Sequence, residues 1–370
     1  MTILSTKKLA SVIMPVLFLA LSTFLVQQKA FAWGGRGHAS ICEAAVYLVK
    51  NPSLKDYLQN KPQMMGHLCN IPDIYWKSLS EDSRKFGDPG HYIDTEILGI
   101  KLNEIPTDYK KIVATYTGAD NKFKDGAKIF SVPYELGSIW WRADQFYRRA
   151  TDDGKKLKTL PAPANSKEEQ NENLEYNKTF YSMVVNLGLM GHFVGDASQP
   201  YHSTSDYDGY ASNHGGIHAY FEDSSVALFG PDLISRIVKK AQSNKTAPFL
   251  KAGTVIEKMR ALSEISNLEI KDVLKADPII KPSVVKNEKG MNLRTEAVRQ
   301  PASVGFKHFE KLFIQEMARS SALLAQLWDQ AYVEAGEPAI KAYKSYRYPL
   351  TPEFVMPDYF EIKPEEAKKK

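Results

Sequence analysis

The 35 residues from Gly188 to Glu222 hold half of the histidines in this 370-residue chain. The four are His192, His202, His214 and His218. Two of them stand four residues before a carboxylate, His192 before Asp196 and His218 before Glu222. In a helix, this spacing puts the imidazole and the carboxylate on one face, a turn apart. The segment therefore predicts two helical His–carboxylate pairs close together in the chain.

A fifth donor lies between the two pairs. His202 follows Gln199 and Pro200, where a helix should end or kink because proline cannot continue the hydrogen-bond ladder. A single His-x3-Asp pair is common and more often forms a simple hydrogen bond. Two such pairs and an intervening histidine form a five-donor set of the ligand types that zinc prefers. We therefore expect a metal site here.

Residues 1–32 are typical of a secretory signal peptide. Lys7 and Lys8 precede an apolar run over 9–26, and Ala30-Phe31-Ala32 is a small-x-small cleavage site. The apolar run is also long enough for an uncleaved membrane anchor, which is the alternative. Cleavage predicts a secreted or periplasmic protein whose mature chain starts at Trp33.

Composition indicates one globular domain without a strong electrostatic bias. Removing 32 of 370 residues leaves 338, and no second set of motifs or internal repeat is present. The whole chain has a net charge of +5, but three of its lysines fall in the signal region, so the mature chain carries +2. This charge gives no argument for binding to nucleic acid or to membranes.

The new N-terminus supplies a further metal-binding group. The amino and carbonyl groups of Trp33 could chelate a metal ion together with His38, in the stretch WGGRGH. An N-terminal Trp, W-G-x-x-G-H, His-x3-Asp-x5-His and a His-x3-acid pair together resemble the zinc-dependent P1/S1 nuclease and phospholipase C superfamily. The resemblance covers Trp33 to Glu222 by motifs, and the helical remainder to about residue 340 only by class.

This resemblance implies an all-α, multi-helix single domain over residues 33–344 and three zinc ions. Asp73 and His91 would complete the ligands, and Asp73 and Asp196 would take part in catalysis. The implied ligands of the first ion are Asp73, His91, His192 and Asp196. Those of the second are Trp33, His38 and the bridging Asp196. Those of the third are His202, His218 and Glu222.

The implied reaction is phosphodiester hydrolysis by a metal-activated hydroxide. The stretches WGGRGH and HYID favour a nuclease for single-stranded DNA or RNA, with Tyr92 and Asp94 as base contacts. Glu222 and the short gap from His202 to His218 favour a phospholipase C acting on phosphatidylcholine-like lipids. A third reading is an inactive zinc-binding protein. We expect a monomer without a stable protein partner.

The two cysteines favour a disulfide in an exported protein. Cys42 stands one turn after His38, and Cys69 stands four residues before Asp73, so the bond would tether two ligand segments. Thiol ligation of a metal is the alternative.

The remaining segments provide packing. Helical spacing is present over Tyr134–Ala150, which contains Trp140 and Trp141 as expected core residues. It recurs over Pro231–Gln242, Thr254–Leu274 and Phe306–Ala335. Residues 151–178 are polar and predict a surface insertion or disordered loop. Residues 345–370 predict an extended, proline-rich C-terminal tail.

Overall fold

A computed structural model describes residues 33–244, 246–288, 291–340 and 351–361. The predicted signal peptide, residues 1–32, lies outside this part of the chain. The α-helices described are α1 (Gly34–Leu48), α2 (Pro52–Leu58), α3 (Pro62–Ile71), α4 (Lys77–Leu79), α5 (Glu81–Gly87), α6 (Tyr109–Tyr116), α7 (Val132–Glu135), α8 (Ile139–Leu157), α9 (Ser166–Glu169), α10 (Glu175–Asp196), α11 (Ile217–Ala219), α12 (Leu233–Ala241), α13 (Val255–Leu268), α14 (Ile270–Ala276) and α15 (Ala302–Glu334).

Shorter turns carry much of the site. The 3₁₀ turns are Asp88–His91, Thr95–Leu98, Leu102–Glu104, Pro200–Ser203, Val226–Leu228 and Pro248–Leu250, and the π-helical turns are Pro72–Trp76 and Tyr220–Ser225. The strands are β1 (Ile279–Lys281), β2 (Val284–Glu288), β3 (Met291–Thr295) and β4 (Val298–Arg299). β1 pairs with β4 and β2 with β3, both antiparallel. The protein is thus mostly helical, as the sequence predicts.

The strands depart from a purely helical second half. They occupy the stretch between α14 and α15, where β-branched residues such as Ile279, Val284 and Val285 cluster. Pro282 interrupts the same stretch and cannot supply a helical N–H. Local β propensity therefore prevails in a segment that helical spacing does not cover.

Helix α10 is the central element of the fold. It packs against α8, α3, α15 and α1, and most of its residues are buried. A helix covered on all sides must be apolar around most of its circumference, and MVVNLGLMGHFVGD meets that condition. Gly191 and Gly195 let α1 approach closely, since an added Cβ at Gly195 would lie 2.8 Å from Nδ1 of His38.

A disulfide bond joins α1 to α3. Cys42 and Cys69 are both fully buried and form this bond across 27 residues of sequence. The side chain of Cys42 lies directly against Gly191 of α10, where an added Cβ would collide with Sγ. The bond therefore lies at the junction of three helices.

The polar segment 151–178 differs from the expected insertion or disordered loop. Its first seven residues complete α8, and its last four begin α10, with α9 between them. Thr151, Gly154 and Leu157 are buried and continue the inner face of α8 at helical spacing. The apolar pattern of this face is weak in the sequence, because only Leu157 of the three is a large apolar residue.

The two tryptophans of α8 lie in the core, as the sequence predicts. Trp140 and Trp141 are buried, and their indole N–H groups donate hydrogen bonds to Ser263 Oγ and to the carbonyl of Thr107. In the residues that the structure describes, no helix combines the length and apolar character needed to cross a bilayer.

Part of the predicted C-terminal tail runs along the domain. Residues 351–361 have little regular structure, and their carbonyls accept hydrogen bonds from Trp76, Arg142 and Gln145. Arg148 donates two hydrogen bonds to the carboxylate of Asp358. The rest of the predicted tail, 345–350 and 362–370, lies outside the described residues.

Removing the disulfide should lower the stability of the domain. Replacing Cys42 and Cys69 together by alanine should reduce the free energy of unfolding by about 3 kcal/mol, because the unfolded chain regains the entropy of a closed loop. Denaturation by guanidinium chloride measures the change. Reducing the wild-type protein with dithiothreitol serves as the control and should give the same loss, whereas an unchanged midpoint would contradict the expectation.

Candidate metal centre

Three groups of imidazole and carboxylate side chains lie buried beside α10. Within each group the donor atoms lie no more than 4.8 Å apart. Cluster 1 consists of His38, His192 and Asp196. Cluster 2 consists of Asp73, His91 and His192. Cluster 3 consists of His202, His218 and Glu222.

Cluster 1 forms where α1 meets the last turn of α10. Nε2 of His38 lies 3.1 Å from Oδ1 of Asp196. The rings of His38 and His192 are stacked with centroids 4.0 Å apart. Both residues of the His192–Asp196 pair lie on one helix face, as their spacing predicts.

Cluster 2 draws its members from three elements. Asp73 belongs to a π-helical turn, His91 ends a 3₁₀ turn, and His192 belongs to α10. Nδ1 of His91 lies 3.6 Å from Oδ1 of Asp73 and 3.0 Å from Oδ2 of Asp196. Nε2 of His192 lies 3.2 Å from the same oxygen of Asp196. Asp196 thus adjoins both cluster 1 and cluster 2.

Cluster 3 contains the second His-x3-acid pair. Nε2 of His218 lies 3.0 Å from Oε1 of Glu222, although the chain changes from α11 to a π-helical turn between them. His202 comes from the 3₁₀ turn after Pro200, and its Nε2 lies 3.6 Å from Oε2 of Glu222. The structure therefore brings together all three residues that the sequence assigns to this group.

Backbone carbonyls orient three of the imidazoles. Nδ1 of His192 lies 2.7 Å from the carbonyl oxygen of Cys69, and Nδ1 of His218 lies 2.7 Å from that of Tyr207. Nδ1 of His202 lies 2.5 Å from the carbonyl oxygen of His91. A carbonyl can only accept, so each Nδ1 must carry the proton. In the neutral ring this leaves the lone pair on Nε2, which is a common second-shell arrangement at metal sites.

Several donor atoms of the clusters are buried without a hydrogen-bond partner in the described residues. They include Nε2 of His38, Oδ2 of Asp73, Oδ1 of Asp196, Nε2 of His202 and Oε1 of Glu222. A buried polar atom left unpaired costs about 1–3 kcal/mol, more if it is charged. Some of these atoms face one another at ion-pair distance, as Nε2 of His38 and Oδ1 of Asp196 do at 3.1 Å, and facing donor atoms of this kind suit a multi-metal site.

Burial and neighbouring charges favour neutral His38 and His91 and an ionised Asp196. At His192 they act the other way, because burial lowers its pKa but Asp196 and Asp73 raise it above its usual value. Burial lowers the pKa of His38, and His192 lowers it further. Burial likewise lowers the pKa of His91 to about 4. Burial by itself would raise the pKa of Asp196, but the charges of His192 and His202 hold it well below its usual range. Neutral imidazole and ionised carboxylate are the forms that ligate metal ions.

In cluster 3, the pKa of His218 is raised above its usual value. Burial acts to lower the pKa of His218, yet the adjacent Glu222 raises it to about 9. Burial acts to raise the pKa of Glu222, but the charges and hydrogen bonds of His218 and His202 together hold it below its usual range. The pair therefore behaves as an ion pair.

Trp33 lies between cluster 3 and α10. Its backbone N–H donates to Oε2 of Glu222 at 3.2 Å, and its indole N–H donates to the carbonyl of Gly195 at 2.8 Å. Its own carbonyl accepts the N–H of Gly37, in the first turn of α1. The sequence-based assignment groups Trp33 with His38 and Asp196, whereas the contact of its nitrogen in the structure is with Glu222.

The two residues predicted to contact a base lie next to His91. The hydroxyl of Tyr92 donates a hydrogen bond to the carbonyl of Tyr134 at 2.7 Å. The backbone N–H of Asp94 donates one to the carbonyl of Leu136. Burial raises the pKa of Asp94 well above its usual range. Tyr92 also lines an open groove of about 500 Å³, together with Glu81, Arg84, Lys85, Asp88, Pro89 and Tyr134.

Two further side chains belong to the site. Nζ of Lys77 lies 2.6 Å from Oδ1 of Asp73, and this lysine lowers the pKa of Asp73 against the effect of burial. The spacing of four residues from Asp73 to Lys77 is the sequence pattern that could have predicted this contact. Nε2 of Gln199 donates to Oε2 of Glu222 at 2.5 Å. No spacing rule indicates that contact, because it depends on how the chain turns at Pro200.

The histidines outside the clusters have other contacts. Nδ1 of His214 lies 2.8 Å from Oδ2 of Asp277, which Arg299 also contacts. Nδ1 of His308 bonds to the carbonyl of Ala276. Neither belongs to a cluster.

The chain has a distant curated relative. It is 23% identical, over 375 aligned positions, to a protein of Bradyrhizobium tropiciagri named as a probable serine protease. The alignment covers 81% of this chain and 44% of the relative, so the chain spans less than half of that protein's length. The sequence matches no protein-family profile.

Substituting one histidine of cluster 3 should remove a metal ion. We expect His202→Ala to bind one ion fewer than the wild-type protein, because it deletes a buried Nε2 donor. His214→Ala is the matched control and should retain every ion, since His214 lies outside the clusters. Elemental analysis after zinc loading measures both. Equal metal content in the two variants would contradict the assignment of cluster 3.

Proposed function

We propose that this protein is an exported zinc-dependent phosphodiester hydrolase, of the nuclease type that cleaves single-stranded DNA or RNA. The observation that carries the proposal is the position of Asp196. Its Oδ1 lies near His38, and its Oδ2 lies near His91 and His192. A carboxylate whose two oxygens face different donor groups is suited to bridge a pair of metal ions.

Zinc fits the donors best. Neutral imidazoles and carboxylates are its usual oxygen and nitrogen ligands, and fixing Nδ1 by a carbonyl is typical of its second shell. Asp73, His91, His192 and Asp196 would hold one ion. His38 and Asp196, with the amino and carbonyl groups of Trp33 after cleavage, would hold a second. Cluster 3 would hold the third.

When bound, the ions would neutralise the phosphate oxygens and lower the pKa of water from 15.7 toward about 7. The residues of the chain keep the site in the geometry that this chemistry needs. Asp196 holds clusters 1 and 2 together, and the carbonyls of Cys69, His91 and Tyr207 prevent the imidazoles from rotating. Lys77 holds Asp73 through their 2.6 Å contact.

The groove beside His91 supports the nuclease assignment. Tyr92 and Tyr134 provide aromatic rings, and Arg84 and Lys85 provide positive charge along the same groove. Single-stranded nucleic acid is bound by stacking of bases on aromatic rings and by cations that follow the backbone. We propose that Tyr92 is a base contact and that Asp94 lies at the base edge.

A phospholipase C is the second candidate. Tyr207 is 52% exposed, and its ring lies 6.0 Å from that of His218 at the rim of cluster 3. An exposed aromatic residue at that position is also suited to meet a lipid interface. Glu222 and the short gap from His202 to His218 favour the same candidate, as the sequence analysis describes.

The protease name of the distant relative belongs to that protein. A serine protease needs an imidazole that accepts the proton of a serine hydroxyl. The imidazoles of cluster 3, and His192, direct Nδ1 to carbonyls and Nε2 toward carboxylates. This arrangement supports a metal site in preference to a serine nucleophile.

Export is part of the proposal. The sequence of residues 1–32 predicts a signal peptide, and the Cys42–Cys69 bond suits an oxidising compartment. We propose a secreted or periplasmic enzyme that acts as a monomer.

Neutralising the bridging carboxylate should disrupt both clusters that it adjoins. Asp196→Asn should lose at least two zinc ions and reduce hydrolysis at least about 100-fold, because the amide cannot supply two anionic oxygens. Asp277→Asn is the control, since it also neutralises a fully buried carboxylate but outside the clusters. Elemental analysis and a turnover assay measure the two effects. Full zinc content in Asp196→Asn would refute the bridging role.

The substrate is decided by a paired assay on the zinc-loaded mature protein. One arm contains single-stranded DNA and RNA, and the other contains phosphatidylcholine in mixed micelles. We expect nucleotide release, and we expect Tyr92→Ala to weaken it by removing about 1–3 kcal/mol of stacking. Phosphocholine release, lost in Tyr207→Ala, would favour the phospholipase instead. Turnover of neither substrate by protein that retains zinc would contradict both.

A further inference from the structure

Gln199 occupies the junction between two ligand-bearing segments. Its backbone N–H donates to the carbonyl of Asp196 at 2.9 Å, and its carbonyl accepts the N–H of His202 at 3.0 Å. Its side chain is fully buried although it is polar. A buried carboxamide is stable only when its donors and acceptors are used. The hydrogen-bond partners of this side chain therefore indicate its structural role.

Both ends of the carboxamide have specific contacts. Oε1 accepts the N–H of Tyr201 at 2.5 Å, which fixes the orientation of the amide because only an oxygen can accept there. Nε2 donates to Oε2 of Glu222 at 2.5 Å and lies 3.3 Å from Nε2 of His218. The donor end therefore faces two of the three members of cluster 3.

These contacts distinguish the two oxygens of Glu222. Oε2 accepts from Gln199 and from the backbone N–H of Trp33 at 3.2 Å. Oε1 is buried without a hydrogen-bond partner in the described residues and lies 3.0 Å from Nε2 of His218. One oxygen is thus held by the N–H groups of Gln199 and Trp33, while the other lies beside an imidazole nitrogen that is itself a candidate ligand.

We infer that Gln199 is a positioning residue for cluster 3: its amide holds Oε2 of Glu222, so that Oε1 is the oxygen presented to a metal ion together with Nε2 of His202 and His218. This inference rests on the proposed zinc-dependent function. Gln199 acts through Glu222 and needs no contact with substrate. Outer-sphere partners of this kind commonly change metal affinity 10- to 100-fold.

The test replaces the amide by a side chain of similar length that cannot donate. Gln199→Met should raise the dissociation constant of one of the three zinc ions by about 10- to 100-fold and leave the other two unchanged. Competition with a chromophoric chelator measures the constants. In the cobalt-substituted protein, the visible absorption of the same site should change, because the geometry of its carboxylate ligand changes.

Gln145→Met is the matched control. Gln145 is equally buried, and its amide donates to the carbonyl of Met356, outside the clusters. We expect its zinc constants and its cobalt spectrum to match those of the wild-type protein. If Gln199→Met does not fold, Gln199→Asn replaces it, since the side chain one methylene shorter retracts the donor from Glu222 with less change in packing.

Two results would overturn the inference: wild-type zinc constants in the Gln199 variant, or equal changes in the Gln199 and Gln145 variants. The outcome for the proposed function is separate. It fails if the wild-type protein itself binds no third ion, whereas the inference about Gln199 fails if the wild-type protein and the Gln199 variant bind three ions equally well.

Discussion

The buried carboxylate of Asp196 is the constraint on which the rest of the site depends. An ionised carboxylate is expensive to remove from water unless charges or hydrogen bonds compensate it. Asp196 is fully buried at the end of α10, and its compensation comes from His38, His91 and His192. Each of those histidines belongs to a different element. Folding must therefore bring α1, a 3₁₀ turn and α10 to one point.

The packing around α10 makes that convergence possible. Gly195 admits the ring of His38, and Gly191 admits the disulfide of Cys42 and Cys69. The same disulfide joins α1 to α3, and the carbonyl of Cys69 orients His192. Cys69 thus takes part both in the disulfide bond and in the hydrogen bond that orients His192. Changes in helix packing here would consequently move donor atoms directly.

The polar groups that hydrogen-bond to the candidate ligands also support a metal site. Backbone carbonyls direct Nε2 of His192, His202 and His218 inward, and Gln199 leaves Oε1 of Glu222 available. These contacts leave buried donor atoms without hydrogen-bond partners, a costly arrangement that bound cations would relieve. This cost connects the local geometry with the proposed metal-dependent hydrolysis.

The sequence by itself determined the residue types and their local spacing. The His192–Asp196 and His218–Glu222 pairs and several of the long helices follow from helical periodicity, whereas the all-α class is what the family resemblance implies. The sequence did not reveal the strands at 279–299, where local β propensity prevails in a largely exposed stretch. It also did not reveal the helical ends of 151–178, where burial against other helices decides the outcome. Nor did it determine the contact of His91 with His192, which lie 101 residues apart. The contacts of Gln199, and that of Trp33 with Glu222, also required the tertiary structure. The physical reason is that periodicity encodes neighbours within a few turns, whereas contacts between segments depend on how whole helices pack.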